Sequence, residues 1–204
     1  MKIVILVEGK TETAFKPYLQ KYLETRLHGA MPKLKFIKYD GRIPSKDKLK
    51  RIVETNIREY SADHVIALTD VYTGTNPPDF KNAEDAKTKM RDWVGADDRF
   101  HPHAAQYEFE AWLLPYWETI QKLAGRNTTA PGGAPEAVNH GKPPSSRIVE
   151  IFETGNSPRG SYNKVRDAKS ILEKNDLSIA INQCPELKSF INTILEACNG
   201  TKIP

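Results

Sequence analysis

The chain has 204 residues, 27% of them charged, with a formal net charge of +4 and a mean hydropathy of −0.57. That length predicts one domain, or one domain with a C-terminal elaboration, and enough chain for a sizeable core. No apolar stretch is long enough to span a membrane and Met1-Lys2 runs straight into a strand pattern, which speaks against a membrane protein and against a signal peptide.

Residues 3–7, IVILV, form an unbroken β-branched and aliphatic run that predicts a strand covered on both faces. The sequence VEGKTET follows. Its Gly9-Lys10-Thr11 resembles the tail of a phosphate-binding loop, but that loop needs a further glycine five residues earlier, where Val4 stands inside the strand. A nucleotide-binding P-loop is therefore rejected, and the turn carries a carboxylate, Glu8. A helix comes next, with Phe15, Tyr18, Leu19, Tyr22, Leu23 and Leu27 on one stripe. Pro17 constrains its start: with Thr13 as the cap, the proline falls near the first turn, where a missing N–H matters little.

Residues 34–39 predict a second strand. Ser45 then caps a helix that turns Leu49, Ile52, Val53, Ile57 and Tyr60 inward. Residues 64–68 predict a third strand ending at Thr69-Asp70, residues 82–94 a helix closed by Gly95, and residues 100–105 a fourth strand before a helix that contains EFEAWLL. This alternation predicts an α/β, Rossmann-like fold: a mostly parallel sheet of about four strands flanked by helices.

After Gly125 the texture changes. Residues 125–146 are crowded with Gly, Pro, Asn and Ser and predict an extended loop; so long a structureless stretch inside a domain is usually functional or disordered. Residues 147–152, 162–173 and 185–197 predict helices. The expected organisation is an α/β core at 1–124, a Gly/Pro-rich loop at 125–146, and a helical C-terminal extension at 147–204 packed on the core. Cys184 and Cys198 lack a metal-ligand spacing and read as buried free thiols, which suits a reducing cytoplasm. The small positive charge permits a nucleic-acid partner without requiring one.

In open parallel sheets, ligands bind beyond the carboxyl ends of the strands. Glu8 follows the first strand, Asp70 the third, and Glu108 with Glu110 the fourth, so all approach one edge. Two carboxylates about 4 Å apart repel by roughly 4 kcal/mol at an effective dielectric near 20. Such a cluster needs protons, basic neighbours or a cation, and hard oxygen donors favour Mg²⁺ or Mn²⁺ over Zn²⁺. Each residue also has a plainer role open to it. Asp70 can be a helix cap or a loop acid, Glu12 a first-turn acid favoured by the helix dipole, and one of Glu108 and Glu110 a surface residue. Glu110 is the better site candidate because it precedes the apolar AWLL. Lys10 reads equally as a phosphate contact or an exposed loop lysine. His101 and His103 flank a proline and read as structural.

VEGKTE after a first strand, followed by LTD at the end of a third, resembles the Toprim domain of primases, topoisomerases and OLD-family nucleases. One branch, small bacterial Toprim-like proteins formerly of unknown function, is similar over nearly the whole chain. It carries counterparts of EFEAWLL at 108–114, PEAVNHGKPPSSR at 135–147 and YNK at 162–164. The resemblance implies a metal-dependent nuclease, with Glu8 as the acid–base glutamate, Asp70 as a Mg²⁺ ligand and Glu110 as the later acid. It departs from the pattern at Tyr72, where Asp-x-Asp would place a second aspartate. A ligand is then to be sought from Glu12, Glu108 or Glu110. Ser146, Arg147 and Lys164 match the later motif and are expected to contact phosphate, and Lys164 is also placed to stabilise a leaving group.

The expected function is a Toprim-type endonuclease that hydrolyses nucleic-acid phosphodiesters with Mg²⁺ or Mn²⁺. Glu8, Asp70, Glu110 and Lys164 are its catalytic residues, and the amides of Gly9, Lys10 and Thr11 steady a phosphate. The resemblance further implies a role as an effector in bacterial phage defence, paired with an ATPase encoded nearby. DNA and RNA are both open as substrates, a homo-oligomer is compatible with the sequence, and no membrane partner is expected. The alternative is a non-catalytic Toprim-like partner or scaffold of the ATPase; a small-molecule phosphohydrolase is a third reading.

Overall fold

β1 (Lys2–Val7) is fully buried from residue 3 onward, as a strand covered on both faces must be. It pairs in parallel with β2 (Lys33–Lys38) on one side and with β3 (His64–Asp70) on the other. β4 (Phe100–Ala105) completes a parallel sheet of order β2-β1-β3-β4. The structure, a computed structural model, describes residues 1–29, 31–72, 78–137 and 141–204.

α1 (Lys10–Leu27) begins earlier than the sequence predicts, with Gly9 rather than Thr13 at its N-cap and Pro17 inside the helix. The proline removes a hydrogen bond to the Thr13 carbonyl. The buried stripe of Phe15, Leu19, Leu23 and Leu27 outweighs that loss, and Thr13 donates its hydroxyl to the Gly9 carbonyl at 3.1 Å. α2 (Lys46–Arg58) has Ser45 at its N-cap as predicted, although the hydroxyl makes no capping bond. α3 (Ala83–Val94) is bounded as its punctuation foretold. The Asn82 side chain accepts the Asp85 amide at 2.8 Å, and Gly95 takes the left-handed φ of +89° that ends the helix.

The EFEAWLL segment differs from expectation. Phe109–Tyr116 is a 3₁₀ helix, and α4 (Trp117–Ala124) starts only after it. Pro115 removes an amide from the segment, and all its residues except Pro115 are buried, so packing on every side outweighs the α-helical period. The expected loop at 125–146 also holds structure: a 3₁₀ turn at Pro135–Ala137, and the start of α5 (Pro144–Thr154) with a proline in its first turn. Val138, Asn139 and His140 of the PEAVNHGKPPSSR motif lie outside the described residues. α6 (Lys164–Glu173) and α8 (Pro185–Ala197) follow their apolar periodicity. Between them α7 (Leu177–Gln183), capped by Asp176, is too short for its pattern to show in the sequence.

The sheet separates two apolar cores. Val4, Leu6, Val65 and Ala67 pack under α2 and α3, against Leu49, Val53, Ala86 and Met90. The opposite face, with Ile3, Ile5, Ile66 and Leu68, joins α1, the 3₁₀ segment and the C-terminal helices in one cluster. Trp112 is its hub, with ring centroids 5.4 Å from Phe109 and 6.2 Å from both Phe15 and Phe190. Cys184 and Cys198 are free and buried. Among the described residues, no helix is long and apolar enough to cross a membrane.

Candidate functional site

The chain leaves β1 toward β2 and leaves β3 toward β4, so the switch point of the sheet lies between β1 and β3 and opens a crevice at their carboxyl ends. Val7 pairs with Leu68, which brings Glu8 level with Thr69. Glu8 Oε1 accepts the Thr69 hydroxyl in a short hydrogen bond and the Asp70 amide at 3.0 Å. Glu8 is only 7% exposed. Burial pushes its carboxyl up, the two hydrogen bonds hold it down, and the nearby Glu12 charge adds to the rise, leaving a pKa of about 7. At neutral pH the group is divided between its two protonation states.

Gly9 has a local purpose. A Cβ there would stand 3.2 Å from Glu12 Oε2, so the missing side chain lets the Glu12 carboxylate fold back over the N-terminus of α1. Glu12 is buried, and burial raises its pKa.

Asp70 stands at the centre of the crevice, and its Oδ1 accepts the Phe109 amide at 2.9 Å. Burial, and after it the charges of Glu8, Glu12, Glu110 and Glu108, drive its pKa well above the usual carboxylate range. The Tyr72 amide donates to the Tyr107 carbonyl at 2.7 Å, and Tyr107 holds a left-handed φ of 71°. A non-glycine residue pays for that conformation, and here it turns the chain leaving β4 back toward the crevice.

The two acids that follow are used differently. Glu108 Oε2 accepts the Ser145 amide in the first turn of α5 at 2.9 Å. Glu110 is 1% exposed; its Oε1 is ion-paired with Lys164 Nζ at 3.2 Å and has no further partner among the described residues. Burial raises the Glu110 pKa and the Lys164 charge opposes the rise. For Lys164, burial works against the charge, but Glu110, Glu108 and Asp70 outweigh it and the ammonium is held ionised. Beside them the Tyr162 hydroxyl is buried without a partner among the described residues. Its pKa is raised by burial and then by Glu110, Asp167 and Glu108.

The structure thus gathers Glu8, Glu12, Asp70, Glu108, Glu110 and Lys164 at one edge. Gly9, Lys10 and Thr11 border it at the start of α1, with Lys10 exposed and Thr11 buried. Ser146 lies in the first turn of α5, whereas the Arg147 side chain lines a separate cavity beside Arg126 and Glu150. His101 is away from the carboxylates, its Nε2 3.0 Å from His64 Nδ1. His103 is buried against Phe190 and bonded to Thr193; burial lowers its pKa to about 3, which keeps the imidazole neutral. Sequence reasoning missed Thr69 and Tyr162 as members of the crevice. Thr69 is adjacent to Asp70 in the chain, but nothing local signals that its hydroxyl crosses to Glu8; Tyr162 stood in the YNK motif.

An all-oxygen donor set and the negative charge packed around Asp70 fit a hard divalent cation. The present rotamers do not close around one: among the described residues, no three His, Cys, Asp or Glu side chains stand close enough to hold a metal ion. Glu8, Asp70 and Glu108 are each engaged by a hydroxyl or backbone donor instead.

Residues 7–195 match the family described as Domain of unknown function (DUF4276). No curated protein matches the chain in sequence. In three dimensions it is similar to the C-terminal region of the Burkholderia pseudomallei OLD protein, with 13% identity, a TM-score of 0.55, and 97% of this chain and 98% of that one covered. The C-terminal region of the Xanthomonas campestris pv. campestris OLD protein is similar at 18% identity and a TM-score of 0.48, with 96% and 93% covered. At these identities the likeness concerns the fold.

Proposed function

We propose, for a chain that belongs to the DUF4276 family, metal-dependent hydrolysis of nucleic-acid phosphodiesters in the crevice between β1 and β3. The observation that carries this reading is Glu8: a buried carboxyl with a pKa of about 7, hydrogen-bonded to the amide of Asp70 at the switch point of the sheet. A group that titrates near neutrality both accepts and returns a proton efficiently, which suits it to activate a water or protonate a leaving oxygen. Asp70 and Glu110, with Glu12 or Glu8 completing the set, are the residues that would hold Mg²⁺ or Mn²⁺. The ion would neutralise charge on the phosphoryl oxygens when bound. Lys164 offers a point charge to the phosphate or the leaving group from its place beside Glu110. The amides of Lys10 and Thr11 at the start of α1 would steady a neighbouring phosphate, whereas that of Gly9 serves the Glu12 carboxylate and that of Ser146 donates to the Pro143 carbonyl at 3.0 Å. A role as the effector of an ATPase-paired phage-defence system rests on the sequence resemblance.

A second reading, a non-catalytic partner or scaffold of an ATPase, is favoured by two observations. Tyr72, half exposed, stands where a second aspartate would ligate, and the carboxylates do not converge as they stand. Incubating the purified protein with Mn²⁺ and with single- and double-stranded DNA and RNA, alone and with any ATPase found encoded beside it, tests both. Cleavage that disappears in a folded Glu8→Gln protein is the expected result. Equal cleavage by both proteins would remove Glu8 from the mechanism. No cleavage under any condition, with ATPase binding intact, would favour the scaffold.

A further inference from the structure

A cavity of about 280 Å³ lies between α4, α5 and the segment that follows Gly125, and none of the crevice carboxylates lines it. Arg126 and Arg147 do, together with Thr128 and Thr129. Arg126 donates from Nη1 to the Thr154 carbonyl at 2.6 Å, which anchors its fork at the wall. Arg147 is less satisfied: its Nε is buried and, among the described residues, has no hydrogen-bond partner. A buried donor left unpaired costs about 1–3 kcal/mol, so a turn of the Arg147 side chain toward an acceptor in the cavity would relieve that cost.

The acid on the wall offsets this charge only in part. Glu150 also lines the cavity, but its carboxylate is paired with Lys142 in a short ion pair and its side chain is 57% exposed. Of the residues that line the cavity, Arg126 and Arg147 are cationic and Glu150 alone is acidic. The wall is also held in place. The Trp117 indole N–H donates to the Thr128 carbonyl at 3.0 Å, and the Gln121 side-chain amide donates to the same oxygen. Two arginines and two threonines around one small cavity suit a tetrahedral oxyanion better than an apolar ligand.

We propose that this cavity binds a phosphoryl group through Arg147 and Arg126, at a point apart from the acidic crevice. Its volume is just below the ~300–1,000 Å³ of typical small-molecule pockets, which suits a phosphate carrying at most a sugar. Such a group is presented by a free sugar phosphate or by the phosphorylated end of a nucleic-acid strand. The assignment does not depend on the hydrolytic reading, because it concerns binding alone.

Titration calorimetry at low salt with inorganic phosphate, ribose 5-phosphate, and a short single strand with and without a 5′-phosphate tests it. Phosphate-bearing ligands are expected to bind, Arg147→Gln to weaken them by about tenfold or more, as the loss of a charged hydrogen bond implies, and Glu150→Gln to tighten them. Melting temperatures show that each variant folds, and the two substitutions act in opposite directions, so loss of fold cannot imitate the pattern. Preference for the 5′-phosphorylated strand identifies a strand end as the source, and equal binding of ribose 5-phosphate identifies a free ligand. Absence of binding at millimolar ligand would overturn the proposal. So would binding that survives Arg147→Gln but is lost in Lys164→Met, which would assign the phosphate to the crevice.

Discussion

The Glu108 carboxylate accepts the Ser145 amide at 2.9 Å, so an acid of the crevice is also the cap of a helix that starts within a Pro/Gly-rich segment. Pro143 occupies the N-cap position and has no side-chain acceptor, so α5 takes from a distant residue what a neighbouring Ser or Asp supplies to most helices. Glu108→Ala is therefore expected to lower the unfolding free energy by about 1 kcal/mol in denaturant titrations, while Glu108→Gln, which keeps an acceptor, retains most of it. Equal, negligible effects of both changes in metal-free protein would show that Glu108 is not the cap.

The buried Glu8 carboxyl makes a pH prediction for metal-free protein. Its folded pKa of about 7 exceeds the ordinary 4.5, so between these values the folded state binds the extra proton and stability falls as pH rises. The contribution is whole below about pH 4.5 and lost above about pH 7, and on the order of 3 kcal/mol is at stake. Glu8→Gln, isosteric and without a titrating proton, should flatten that part of the profile and melt higher at pH 8. If Glu8 is the acid–base group, cleavage by the same variant should fall by about a hundredfold or more.

Asp70 sits among four other carboxylates, so a divalent ion that binds there relieves repulsion in the folded state alone. Millimolar Mn²⁺ or Mg²⁺ is expected to raise the melting temperature, and chelation to reverse the shift. Asp70→Asn should melt higher than the parent without metal and lose the metal response. A metal-indifferent parent protein would count against a site in the crevice.

Lys164 stands against Glu110, an acid that is 1% exposed. Lys164→Met removes that countercharge, leaves the Glu110 pKa free to rise further, and is expected to destabilise the protein at pH 8 more than at pH 5. Nucleic-acid binding should weaken, and the slope of log affinity against log salt should shrink by about one phosphate contact. An unchanged slope would confine Lys164 to its pairing with Glu110.

Much of the fold was legible because it follows from local pattern. The limits of α3 came from Asn82 and Gly95, and those of β4 and α8 from apolar periodicity and turn residues. Where the reading slipped, packing had overruled a local signal: Pro17 is tolerated inside α1 because Phe15, Leu19 and Leu23 are buried around it, and the EFEAWLL segment is 3₁₀ because it is enclosed on all sides. The meeting of Glu8 and Asp70 was legible too, since parallel strands deliver their following residues to one edge. Thr69 as the partner of Glu8 was not, nor was Tyr162 beside Glu110.

Sequence alone therefore determined the layer architecture and the edge at which the acids gather, because strand–helix alternation dictates strand direction and direction dictates which ends coincide. Tertiary structure alone decided what each acid does there. Glu108 became a cap for α5, Glu110 a buried partner of Lys164, and Glu8 a group that titrates near neutrality. Those roles depend on desolvation and on donors that arrive from distant parts of the chain, and neither leaves a local mark in the order of residues.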